Sequence, residues 1–321
     1  MNLPRSPITV LLTLALTGSP AVASEAAFSF MAIGDTAYNG ERDYPVYSAL
    51  IEVMNERQPA FTVHVGDLWG AGSCGDAEID RAADFFASYE HPVIYTPGDN
   101  EWTDCGAEGL GAFDALERLQ TLRSRFFAEA QSLGATPMPL VRQSDVSEYK
   151  ALVENARWEQ ANVLFMTAHV PGSQNGADHR SMERMQEFME RNAANVAWIN
   201  DGFRIAIEEQ RAAVVLTIHA ELFDSNSYYT GPFGAVLQAI REGGERFGGP
   251  VLLIHGDFHR FTIDRPFLEV RGEEHPPRYP NITRLQVHGA PEIAAVRVGV
   301  NPETPGVFSF EPILVPMEAH P

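Results

Sequence analysis

Short apolar runs alternate with longer amphipathic stretches along most of this chain. The runs at 28–33, 60–65, 92–96, 162–168, 212–218 and 250–254 have strand length and are rich in β-branched and aromatic residues. Between them, apolar residues recur at helical spacing near 45–57, 77–89, 110–135, 181–210 and 233–243. Asp201-Gly202 punctuates the segment 181–210, so it reads as one helix or two. The order strand–helix–strand–helix–strand over 28–96 predicts a parallel sheet. Further β segments are expected near 147–152, 156–158, 260–263, 283–288, 294–300 and 307–309. No low-complexity tract or linker interrupts the pattern. These elements predict an α/β fold in which residues 24–321 form one domain with a mixed C-terminal sheet.

Four of the apolar runs end in the same pair: Gly34-Asp35, Gly66-Asp67, Gly98-Asp99 and Gly256-Asp257. The first three aspartates are spaced by 32 residues, close to the roughly 30 residues of one strand–helix–strand crossover. Parallel crossovers would set these carboxylates side by side past the strand ends, where a like-charge cluster needs a cation. Gly-Asp is also an ordinary turn pair, and Gly75-Asp76, which follows no strand, fits that simpler reading.

Residues 1–23 contain Arg5, a short apolar core and Ala21-Val22-Ala23 before Ser24, the pattern of a secretory signal with a small-residue cleavage site. The alternative is a retained anchor, although the apolar core is short for a span of roughly 20 residues. The expectation is export, to a periplasm or outside the cell. A net charge of −20 argues against nucleic acid and anionic membrane as partners, and any phosphate site must supply its own local positive charge. Cys74 and Cys105 each lie shortly after a Gly-Asp strand end. If those strands are neighbours the two loops emerge together, so a bridge between them is expected in an oxidising compartment, with two unpaired thiols as the alternative.

The histidines extend the cluster. His219 ends its apolar strand as the aspartates end theirs, and His259 follows Asp257 by two residues, with His255 at the same parity. Asp35, Asp67, Asp99, His219, Asp257 and His259 thus all fall at or just past strand ends, where sites of α/β sheets lie. Mixed imidazole and carboxylate donors suit a transition or borderline divalent metal.

In order, Gly-Asp, Gly-Asp, Gly-Asp-Asn-Glu, a strand ending in His, then His-Gly-Asp-Phe-His resembles the calcineurin-like metallophosphoesterase superfamily, over Phe28 to about His288. That family is written Asp-x-His, Gly-Asp, Gly-Asn-His-Asp/Glu, a lone His and Gly-His-x-His. The resemblance implies a four-layer α/β/β/α sandwich of two mixed sheets flanked by helices. It also implies two divalent metal ions (Mn, Fe, Mg or Zn), and a small phosphorylated substrate hydrolysed by in-line attack of a metal-bridging hydroxide. By that likeness Asp35 binds the first metal and Asp67 bridges both. Asp99 takes the place of the metal-binding asparagine, and Asn100 that of a leaving-group histidine. Glu101 completes the motif and His219 binds the second metal. Asp257 replaces a histidine, and His259 matches the last one.

The sequence departs from the family at Asp35-Thr36-Ala37, where a first-metal histidine is missing, and at Asn100, where the usual acid is missing. The tyrosine that purple acid phosphatases place after the second motif is not evident in GDLWG. In another register Asn100 and His255 would replace Asp99 and Asp257 as ligands. His169 also ends an apolar strand and is a candidate for leaving-group assistance. Asn175, His179 and Arg180 follow it and are candidates for phosphate contact, or a solvated loop. Trp102 could wall a pocket or pack against the Cys105 loop. His64 and His288 read as sheet histidines, and His91, His275 and His320 as surface or turn residues. The expected function is metal-dependent phosphoester hydrolysis; the other reading is a binding or structural module that keeps the fold and one metal.

Overall fold

The computed structural model describes residues 27–70, 74–106, 112–223, 231–267 and 279–315. The export signal expected at 1–23, and His275 and His320, lie outside them. Among the described residues, strands β1 (Phe28–Ile33), β2 (Thr62–His64) and β3 (Val93–Tyr95) run parallel. Strand β1 also pairs antiparallel with the strand Ala294–Val300, which in turn pairs with Phe308–Leu314. A second sheet of seven strands begins with β4 (Val141–Arg142), β5 (Ala156–Gln160), β6 (Val163–Thr167), β7 (Ala213–Thr217) and β8 (Val251–His255). It closes with β9 (Thr262–Asp264) and β10 (Ile282–Gln286), β10 lying between β8 and β9. The two late strands of the first sheet are then β11 (Ala294–Val300) and β12 (Phe308–Leu314).

Side-chain alternation decides which layer each strand face meets. Phe30 and Ala32 of β1 point one way, to a core shared with Val163 and Phe165 of β6, Val215 of β7 and Leu252 and Ile254 of β8. This layer glues sheet to sheet, and Phe61, Phe30, Phe165 and Trp158 stack and abut within it. Met31 and Ile33 point the other way, under α1 (Tyr44–Glu56), α2 (Asp76–Ser88) and α3 (Ala115–Phe126). Leu164 and Met166 of β6 meet α4 (Met182–Glu208) and α5 (Gly234–Phe247) on the far side. The layers are therefore helices, sheet, sheet, helices, as the sequence resemblance implies.

Helix boundaries follow local chemistry. Asp114 caps α3 by accepting from Glu117 N, and Ser181 caps α4 by accepting from Arg184 N. Helix α3 stops at Phe126, well short of the expected 135, because Leu133 pairs with Val93 instead and extends the strand region. The segment 147–149 is a 3-10 turn, not a strand. Helix α4 runs unbroken through Asp201-Gly202, since Gly202 is there for packing. A Cβ at that position would lie 2.6 Å from Met166 Sδ. His91, expected at the surface, is buried with Nε2 2.7 Å from Thr62 Oγ1.

Cys74 and Cys105 form a disulfide that joins the loops after β2 and β3. In α5, Gly243 lies directly against Phe203, where a Cβ would fall 2.1 Å from the ring. Gly243→Ala gains about 1 kcal/mol of helix propensity but overpacks a fully buried ring at a cost of about 1–3 kcal/mol. The variant is expected to be net destabilised, read as a lower urea midpoint with unchanged slope; an unchanged or higher midpoint would show that the helices separate freely.

Candidate metal centre

All three parallel strands of the first sheet, and β7 and β8 of the second, end at one edge of the sandwich. The chain turns there within a residue or two, and the turn is carried mostly by the aspartates. Asp35, Asp67 and Asp257 have φ of 53°, 54° and 78°, and His259 has φ of 54°. Backbone strain of this kind costs of order 1–3 kcal/mol per residue and gathers at functional sites. The glycines serve a different purpose from the one that turn chemistry suggests. A Cβ on Gly98 would lie 2.1 Å from Asp67 Oδ1, and one on Gly256 would lie 2.0 Å from Asp35 Oδ2. Gly66, itself at φ 101°, packs against the Gly98 backbone, with a Cβ only 2.2 Å from Gly98 N. Each strand end leaves room for the carboxylate or backbone of another.

Backbone bonds lock these ends together. Asp35 N donates to Gly66 O at 3.0 Å, Thr36 N to Asp67 O at 3.1 Å, and Gly256 N to His219 O at 3.0 Å. Asp257 N donates to Asp35 Oδ1 at 2.8 Å, and the Asp257 carboxylate accepts from Glu221 N at 2.9 Å. His219 Nε2 lies 2.9 Å from Asp99 Oδ1 and 3.5 Å from Asp67 Oδ1. Its Nδ1 faces Val65 O at 2.8 Å, so Nδ1 carries a proton and Nε2 is turned to the carboxylates. His259 is set in the same way, with Nδ1 on Ala290 O at 2.9 Å and Nε2 3.6 Å from Asp35 Oδ1.

Two groups of donor atoms result, Asp35–Asp67–His219 and Asp99–His219–Asp257, each with its atoms within 4.8 Å of one another. Burial pushes the Asp35 carboxyl up to about 7 and the Asp257 carboxyl up to about 6. It also raises Asp67 well above the carboxylate range. Burial opposes charge on His219, but Asp67, Asp99 and Asp35 outweigh it and raise the imidazole well above its ordinary value. Burial likewise opposes charge on Asp99, yet hydrogen bonds from His219 and Ser173 hold it below the usual range. Asp35 Oδ2 is buried with no hydrogen-bond partner. A set this negative, with an orphaned carboxylate oxygen and two oriented imidazoles, fits divalent cations.

The structure brings Asp99 to His219, while the Asn100 amide nitrogen turns to Asp67 Oδ2 at 2.9 Å and Trp69 O at 3.0 Å. Asp257 joins the cluster; His255 is buried behind it with Nδ1 on Gly256 O and Nε2 4.0 Å from Glu221. Glu101 is a fully buried clamp, taking Leu68 N at 2.8 Å and Gly98 N at 3.0 Å. His169 is buried against Glu154 at 3.2 Å, and Trp102 is buried against His169 and Arg191, so both lie in a packed interior. Asn175 is buried and engaged by Arg191, whereas His179 is exposed and Arg180 is an exposed partner of Asp178. None of these three makes a hydrogen bond or ion pair with the cluster's carboxylates. His64 is interior, and its burial lowers the imidazole to about 3.

Sequence reasoning missed Tyr38, Ser173 and Glu221. The Tyr38 hydroxyl donates to Asp67 Oδ2, lies 3.2 Å from His259 Nε2 and receives Asn100 Nδ2 at 3.1 Å. It sits one residue past Ala37, where an imidazole is lacking, and that adjacency was the available signal. Ser173 reaches Asp99 from a loop 74 residues away, which no local pattern reveals.

A sequence model described as calcineurin-like phosphoesterase matches residues 28–261, and the chain belongs to that family. Among solved structures, a dimetal phosphatase from Danio rerio aligns at TM-score 0.55 and 11% identity, covering 90% of this chain and 99% of that one. GAP50, the anchor in the inner membrane complex of Plasmodium, aligns at 0.49 and 8% identity, covering 92% and 95%. The first likeness supports the fold. No curated protein matches the chain in sequence.

The raised groups give a pH prediction. Asp35 and Asp257 hold protons more tightly folded than unfolded, where carboxyls titrate near 4. Their stabilising contribution is full below about pH 4 and is lost as pH rises through about 6–7; the raised His219 acts in the same direction. In the metal-free protein that loss is opposed by buried His64, His91 and His255, whose lowered imidazoles gain stability as pH rises toward about 6.5. Mn²⁺, which competes with the Asp35 and Asp257 protons, should raise Tm more at pH 8 than at pH 5. A Mn²⁺-induced shift in Tm that does not change with pH would contradict the electrostatics.

Proposed function

We propose that this protein is a metal-dependent phosphoester hydrolase. Two divalent ions would be held by Asp35, Asp67 and His259 and by Asp99, His219 and Asp257, with Asp67 between them. The observation that carries this reading is the pair of Asp/His donor groups on the strand-end edge, which share His219. With its Nδ1 tied to Val65 O, His219 can serve one ion only, and His259, 3.6 Å from Asp35, offers the second imidazole. Tyr38 adds an oxygen beside Asp67 and His259 where Ala37 offers none. When bound, two such ions lower the pKa of a water for in-line attack on phosphorus and draw charge from the phosphoryl oxygens, so no protein nucleophile is needed.

The chain's own residues shape the choice of substrate. Asn100 is anchored on Asp67 and has no titratable proton for a leaving alkoxide. His169 is engaged by Glu154 in the interior. Esters of acidic alcohols, such as aryl phosphates, are therefore the favoured substrates. The Cys74–Cys105 bridge supports an oxidising compartment, in keeping with the export signal at 1–23, and residues 24–321 are read as one domain.

Ala37 keeps a second reading in play, a module that fills one metal site and does not turn over. Purified protein is expected to carry about two equivalents of Mn or Fe and to hydrolyse an aryl phosphate. Asp67→Ala should lower kcat/KM by at least ~100-fold, the upper range for loss of a mere outer partner. At most one equivalent of metal, with no hydrolysis across a panel of mono- and diesters, would establish the module instead.

A further inference from the structure

Ser173, Gln174, Asn175 and Gly176 follow one another with φ of 42°, 60°, 54° and 73°. Three successive non-glycine residues in the left-handed region are costly, and such a turn persists only when its surroundings over-determine it. The surroundings here are buried Arg191 and the asparagines Asn192, 3.3 Å from Asn175 Nδ2, and Asn195 of α4. Arg191 of α4 donates to Asn175 Oδ1 at 2.7 Å, Asn175 O at 2.8 Å and His169 O at 3.1 Å, with Glu187 balancing its charge at 2.7 Å. Asn195 adds a bond to His169 O at 2.7 Å, and Asn175 Nδ2 reaches Pro232 O at 3.1 Å.

What this turn delivers is contact with Asp99. Gly172 is pressed to the carboxylate so closely that a Cβ would lie 2.7 Å from Oδ1. Ser173 Oγ donates to Asp99 Oδ2 at 2.7 Å, and it also lies 2.9 Å from Asp104 Oδ2. The other oxygen, Oδ1, is the one that meets His219 Nε2 at 2.9 Å. An aspartate here has two oxygens to give, where the asparagine that the sequence resemblance implies for this position would have one. A free carboxylate can instead bind a cation through one oxygen or two.

We propose that Ser173 is a positioning residue that makes Asp99 a one-oxygen ligand. By occupying Oδ2 it leaves only Oδ1 turned to the metal, as an asparagine would present its amide oxygen. The left-handed turn and its Arg191 pin exist to hold the hydroxyl there. This inference rests on the reading of Asp99 as a ligand and supplies what makes the aspartate workable.

A double-mutant cycle on the full chain, read by Mn²⁺ titration calorimetry, tests it. Ser173→Ala is expected to weaken one of the two Mn²⁺ affinities by ~10-fold, the scale of a lost outer partner. In an Asp99→Asn background the same change should leave both affinities within about twofold, the range of uncoupled sites. Ser173→Gly, which suits a positive φ and also lacks the hydroxyl, should reproduce the loss. Gln174→Gly, which relaxes the backbone without touching Asp99, should leave Mn²⁺ binding unchanged. Two-site binding with equal Ser173→Ala effects in both backgrounds would overturn this proposal alone. Failure of the parent protein to bind Mn²⁺ would overturn both it and the metal reading.

Discussion

Crowded negative charge is the constraint on which the rest of this molecule depends. Four aspartates converge at one edge of the sandwich, buried or nearly so. Water cannot solvate them fully there, and they repel one another across a low-dielectric gap. The fold answers with backbone N–H groups from Asp257 and Glu221, and with imidazoles whose outer nitrogens are tied to Val65 O and Ala290 O. These neutralise part of the charge and fix directions, but they leave Asp35 Oδ2 with nothing. The two facing sheets, their shared aromatic core and the disulfide all hold this edge against its own repulsion. A cation is the partner such an edge is built to receive.

Much of this was legible in the residues, for identifiable reasons. The run Phe28–Ile33 is short and ends in Gly-Asp, and the strand and its terminal carboxylate are where that pattern puts them. His219 could be placed because Ala213–Thr217 is an uninterrupted apolar strand pointing to it. The length of α3 misled because Leu133 prefers a tertiary partner, Val93, to its own helix. Tyr38 went unnoticed because an aromatic three residues after an aspartate is unremarkable until the chain curls back on Asp67. Ser173 was invisible for a deeper reason: its turn is tied down two residues on, at Asn175, by Arg191 from a different element.

The glycines separate two roles that a Gly-Asp pair confounds. Turn chemistry would give the glycine the unusual backbone and the aspartate a capping bond. Here Gly98 and Gly256 are small because Asp67 and Asp35 fill the space a methyl would need, while the aspartates at 35, 67 and 257 take the left-handed backbone. At three of the four strand ends, the strained backbone thus falls on the residue that also bears the carboxylate.

The disulfide matters to the unfolded chain as well as to the folded one. Cys74 and Cys105 are 31 residues apart in sequence, and closing a ring of that size removes roughly 3–4 kcal/mol worth of conformational freedom from the unfolded chain. The ring encloses Asp99, and Asp67 lies a few residues outside it. An oxidised chain that has lost its sheets therefore still keeps the loops that follow Asp67 and Asp99 tethered. The segments bearing these two carboxylates stay within a short contour length of each other even where the first sheet has come apart.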